Sequence, residues 1–159
     1  MPISKLQLSL AKNTMHWFDS QLQALYKLAE NYDNCRVDNS DDSVDDVRKI
    51  RTKFIDNVQS LVDSVIKLND ISGCVAAHDG FLLAKAGSVT DSDALGAMMQ
   101  ESMIIAQRNK KTLDLGEIQQ IVVVGEDNKI AMISVGQLTL GILSSKHTNL
   151  KELLKRKPK

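Results

Sequence analysis

The chain has 159 residues, with 20 Lys and Arg balanced by 20 Asp and Glu, 3 His, 2 Cys, 8 Gly and 4% aromatic side chains. That length suits one compact domain with an appendage at most, and a hydrophobic share of 43% is too high for a chain disordered throughout. A net charge of zero argues against nucleic acid as the main partner, because neutralising phosphates takes a basic excess. Cys35 and Cys74 stand too far apart in sequence for a ligand pair and are too few for a disulfide framework.

The first residues lead into leucines interrupted by Gln7, Ser9 and Lys12, so no signal-peptide core forms. The longest strongly apolar run, residues 121–124, is far short of the roughly 20 that cross a bilayer. No transmembrane segment, residence in the cytoplasm and reduced thiols are the expectations. From residue 5 to 33, Leu8, Ala11, Met15, Phe18, Leu22, Leu25, Ala29 and Tyr32 recur at alternating intervals of three and four, a heptad seam that predicts a helix. Trp17, Tyr26 and Leu28 widen it. Residues 35–42 are polar and aperiodic and predict a linker. Ser43, with Asp46 three residues on, resembles a capping box, and Val47, Ile50, Phe54, Val58, Leu61, Val65 and Leu68 line one face of a second helix. Two antiparallel helices are the simplest arrangement.

Beyond Asn69 the period changes. Residues 71–77 and 81–84 are short β-prone runs around Asp79-Gly80, whose residues tolerate the positive φ of a tight hairpin. Thr90, Asp91 and Asp93 mark a helix start, and the helix runs to about Lys111. Residues 118–124, 129–135 and 138–144 read as three strands, with Gly136-Gln137 turning between the last two. Thr148 caps a final helix from residue 149 to about 156. The chain therefore divides into an N-terminal helical extension with its acidic linker, residues 1–43, and an α+β domain over residues 44–159.

Catalytic chemistry finds little footing. An EF-hand begun at Asp38 would put Ser43 in place of its glycine and Lys49 in place of its bidentate Glu. His16, His78 and His147 share no ligating motif and read as surface histidines, while Cys74 reads as a small buried residue. No nucleophile elbow or phosphate-cradling glycine loop occurs, and Asp79 is explained by its turn. The basic tail, Lys151, Lys155, Arg156, Lys157 and Lys159, reads as solubilising, with acidic lipid or nucleic acid as the alternative.

The central helix is more informative. Leu95, Met98 and Ile105 can face a sheet, and Gly96, Met99, Met103 and Ala106, at intervals of three, four and three, form a second stripe. One face suffices to cover a sheet. The second, small at Gly96 and Ala106 and pliable at Met99 and Met103, suits another copy of the chain, with cover by the chain's own first two helices as the alternative; on the first reading Met103→Glu is expected to yield a folded monomer.

The run from Gly73 through Asp79-Gly80 to Gly87, the Ala- and Met-bearing helix, residues 121–130 and residues 140–143 together resemble the roadblock/LC7 domain, over roughly residues 70–156. The resemblance implies an α+β fold with one five-stranded antiparallel sheet sandwiched by helices. It also implies a dimer formed through the central helix and the following strand, no enzymatic activity and no cofactor. Many members of that family bind or regulate Ras-like small GTPases. Carried onto this chain, the dimer interface would hold Gly96, Met99, Met103, Ala106, Ile121 and Val123. The additional N-terminal helix leaves three placements open: folded onto the domain, lengthening the dimer interface, or masking the GTPase surface. Two other classes compete. One is a small-ligand sensor with a profilin-like or PAS-like pocket; the other is a structural protein that oligomerises through the first helix.

Overall fold

Heptad spacing in the N-terminal third produces two helices that pack lengthwise. The computed structural model describes residues 16–37, 44–155 and 158. Helix α1 spans His16–Val37 and α2 spans Val44–Ile66. Tyr32, late in α1, stacks on Phe54, early in α2, with ring centroids 5.7 Å apart. The start of α1 and the residue after α2, Lys67, both border Lys155, so the helices run antiparallel. Phe18, Leu22, Leu25 and Ala29 of the expected seam are buried; its members before residue 16 and the expected Ser43 cap lie outside the described residues. Helix α1 continues through residues 35–37, which the sequence assigned to the linker.

The sheet follows: β1 Ile71–His78, β2 Phe81–Gly87, β3 Gln120–Val124, β4 Asn128–Val135 and β5 Leu138–Ser145, with α3 at Ser92–Arg108 between β2 and β3. A single turn, α4 at Lys110–Leu113, follows α3, and another, α5 at Leu150–Leu153, follows β5. The spatial order is β2-β1-β5-β4-β3, every neighbouring pair antiparallel. At the β1–β2 hairpin Asp79 and Gly80 both adopt positive φ, 52° and 80°, the twist-compatible two-residue turn that Asp-Gly favours. Gly136, at φ 62°, serves the β4–β5 turn in the same way.

Two helix starts were legible to within a residue. Asp91, not Thr90, caps α3, its carboxylate accepting from the Ala94 N–H at 3.1 Å. Asn149, not Thr148, caps α5 by accepting from the Glu152 N–H at 3.3 Å. Helix α3 ends sooner than the sequence suggested: Asn109 is its C-cap, its side chain donating to the Ile105 carbonyl at 2.8 Å.

The sheet carries helices on both faces. On one, α1 and α2 enclose Phe18, Phe54, Val58, Val62, Leu138 and Ile142 within a large apolar cluster. Cys74 and Ala76 of β1 point into it. On the other face α3 covers Val75, Ala77 and Met132. The two-residue period of β1 thus feeds two cores at once. Deep burial pushes the Cys74 thiol up to about 12, with the negative charge of Asp63 adding to the effect. The folded state therefore favours the neutral thiol, and its advantage is complete below the unfolded value of 9.0 and is lost as pH rises toward about 12. Alkaline urea titrations should show the native chain losing up to about 1.4 kcal/mol more per pH unit than Cys74→Ala over that window. Parallel curves would refute the burial account.

Candidate functional site

Both flanking elements of the site derive from the period of their sequences. Around α3 each step of 100° places Met99, Met103 and Ala106 on one side and Met98 and Ile105 on a flank about 100° away. The sheet receives the first group: Met99 and Met103 are 0% and 6% exposed. Met98 and Ile105 stand out in solvent at 43% and 50%. Ile104 is exposed on a further flank.

Within the single chain the expected interface residues do not all stand outward. Gly96, Met99 and Met103 cover the chain's own sheet, Met98 and Ile105 do not, and Leu95 is partly buried with the first group. Small residues decide the matter. A Cβ on Gly141 of β5 would collide with Met99 Sδ, so β5 leaves a hollow that the thioether fills. A Cβ on Gly96 would come within 3.4 Å of the Ala77 Cβ, so α3 rests close on the end of β1. Met103→Glu would consequently place a charge in the monomer's own core, and folding itself would suffer. Ala106 is half-buried, Ile121 is half-buried against the α3 core, and Val123, on the same face of β3, is exposed.

Strand β3 is the second component. It hydrogen-bonds only to β4, so its outer backbone edge is unpaired within the sheet. Val122, Val123 and Val124 are all exposed, apolar on both faces of an edge with no charge or proline to blunt it. The opposite edge is different. Strand β2 carries Lys85, whose carbonyl accepts from Gln59 Nε2 of the overlying α2 at 3.3 Å. Exposed apolar groups on a helix flank and on an unblunted strand edge are of the kind that bind protein.

A second cluster escaped the sequence. His78 is not a surface residue but is 6% exposed at the end of β1. Its Nε2 lies 3.5 Å from Asp33 Oδ1 of α1, and its Nδ1 lies 3.6 Å from Asp79 Oδ2. Phe54 and Tyr32 meet the imidazole edge-on, with centroids 5.7 and 6.1 Å away. With the Gln137 amide turned to present nitrogen, it donates to Asp79 Oδ1 at 2.5 Å. The cluster ties α1, α2 and both hairpin turns together around the buried imidazole, with Asp33 and Asp79 partly open to solvent. Its one sequence signal was a polar ring directly after the apolar run Val75-Ala76-Ala77.

The seam residues of α1 lie in the chain's own core, which bears against an assembler acting through that helix. Met99, Met103 and Met132 fill the space between α3 and the sheet, where a sensor would keep its pocket. Among the described residues no three His, Cys, Asp or Glu side chains gather as a metal site, and no helix is long and apolar enough to cross a membrane.

Comparison with known proteins agrees with this geometry. The Roadblock/LC7 domain model matches residues 57–144. Over 100 residues the chain is 30% identical to the uncharacterised protein MJ0714 of Methanocaldococcus jannaschii, spanning 58% of this chain and 84% of that one. MglB of Myxococcus xanthus superimposes with a TM-score of 0.56 at 17% identity, over 64% of this chain and 78% of MglB. A roadblock/LC7 domain from Streptomyces avermitilis does so with a TM-score of 0.54 at 16% identity, over 60% of this chain and 84% of the domain. Identities this low speak to fold. Helix α1 lies outside the matched family region.

Proposed function

The chain belongs to the roadblock/LC7 family, and on that premise we propose that it is a non-enzymatic, homodimeric adaptor of the cytoplasm that engages a Ras-like small GTPase or another signalling protein. The observation that carries this reading is the unblunted β3 edge in a chain whose α3 also presents an apolar flank. Two copies related by a two-fold axis can pair their β3 edges and bring their α3 flanks together, so that the same patch serves both sides. The interface then draws on Met98, Ile105, Ala106, Ile121 and Val123. Removing several hundred Å2 of apolar surface from water is worth more than about 5 kcal/mol gross at about 25 cal/mol per Å2, and association costs absorb much of it.

No residue of this chain is assigned a bond-breaking role. Its influence on a nucleotide cycle would come from binding one conformation of its partner more tightly than the other. Replacing Met98, Ile105 and Val123 together by Glu tests the pairing, because all three are exposed in the single chain and tolerate charge there. Sedimentation equilibrium should show at least about a hundredfold weaker dimerisation with the circular dichroism intact. An unchanged dimer would discard this surface. Capture assays with GDP- and GTP-loaded small GTPases of the same genome test the partner class separately, and indifference of every one would remove it.

A further inference from the structure

Helix α3 crosses the strands on its way to the β3 edge. Gly96 approaches Ala77 of β1, Met99 reaches Gly141 of β5, and the Gln107 side chain donates at 2.8 Å to the carbonyl of Ile118, two residues before β3. The connection over residues 109–119 therefore stands at the open edge of the sheet, on the α3 side, where β3 begins. Lys110 pairs with Glu117 across it. At the end of α4 the Asp114 N–H donates to the Lys111 carbonyl at 3.2 Å and the Leu115 N–H to the Lys110 carbonyl at 3.4 Å, with Asp114 left-handed at φ 54°. Such a helix end commonly seats the residue after the left-handed one on an apolar side chain a turn earlier. Here Asn109 and Lys110 stand a turn earlier, and Leu115 is exposed, as is Leu113.

A two-fold axis that pairs the β3 edges antiparallel sets the start of one β3 beside the end of the other. Each connection then overhangs the far end of the second β3, where Val123 is exposed on the α3 face and the strand runs into Gly125-Glu126-Asp127. The charges there are opposite in sign. Arg108 and Lys111 are exposed at the connection, Glu126 and Asp127 at the far turn. Lys129, the cation nearest that turn in sequence, is committed to the Thr148 carbonyl at 2.6 Å. The edge itself specifies register weakly. Ile121 and Val123 on one face and Val122 and Val124 on the other are so alike that a slip of one residue costs little.

We propose that Leu113 and Leu115 form a prong that closes over Val123 of a second copy of this chain, with Lys111 set against that copy's Glu126 and Asp127. The prong rests on the homodimer proposed above and supplies what the valines lack, a contact that fixes how the two edges align.

Sedimentation equilibrium of the full chain tests it, with circular dichroism confirming that each variant is folded. Leu113→Gln with Leu115→Gln should weaken dimerisation at least about tenfold. Lys111→Glu should weaken it about tenfold at low salt and less at high salt, and so should Glu126→Lys with Asp127→Lys. All three charge reversals in one chain should recover most of the loss, because each copy then offers an acid to the other's lysines. Full affinity in the leucine variant, or no recovery in the combined one, overturns the prong. The joint replacement of Met98, Ile105 and Val123 tells its failure from that of the dimer. If that replacement breaks the dimer and the leucine variant does not, the pairing stands and the prong falls; if the unaltered chain sediments as a monomer, both fall.

Discussion

Alanine in place of Met99 should cost about 2–5 kcal/mol of stability, and alanine in place of Met98 less than about 0.5 kcal/mol. The two side chains are adjacent in sequence and chemically identical. They differ in what surrounds them. Met99 is fully buried, its sulfur seated over the bare backbone of Gly141, and its removal leaves a cavity that rigid strands on one side and a capped helix on the other cannot close. Met98 faces water in the single chain. Urea unfolding at a protein concentration low enough to keep the chain monomeric would measure both. Equal losses would mean that α3 is rolled about its axis relative to the present description, and a reversed ranking would restore the orientation expected from the sequence.

Phe18→Ala should cost about 3–5 kcal/mol, a large share of the stability of a domain this size. The ring is fully buried in the same apolar cluster as Phe54, Leu138 and Leu154. Deleting residues 1–42 is more severe, since it removes Phe18, Leu22, Leu25 and Ala29 together and opens one face of the sheet to water. The remainder is expected to lose its cooperative transition and to bind hydrophobic dyes. A fragment of residues 43–159 that melted within a few degrees of the full chain would show α1 to be dispensable. The consequence is practical. The family match begins at residue 57, so trimming to the matched region would cut away part of the core.

Much of the architecture is local and was therefore readable. The three–four alternation through Phe18, Leu22, Leu25 and Ala29 marks the buried side of α1 because a helix repeats every 3.6 residues wherever it is placed. Asp79-Gly80 specified a hairpin turn because few other residues occupy positive φ at both positions. The element order from β1 to β5 followed from those two periods and the turns between them. Residues 121–124 were less legible. A continuous apolar run is what a central strand looks like, yet here it lies at an edge, and only the order of strands in space distinguishes the two.

What the chain determined alone was which residues share a stripe: Met99 with Met103, Met98 with Ile105, Cys74 with Ala76. The tertiary structure decided which stripe turns inward, because two apolar stripes on one helix gain nearly the same from leaving water and differ only in fit. That fit is set by Ala77 and Gly141, distant in sequence from the helix they receive. It also decided that His78 is enclosed, since Asp33 and Phe54 reach it only once α1 and α2 fold across the sheet. Periodicity is a property of neighbours along the backbone, whereas complementarity of shape and charge exists only between segments that folding has brought together.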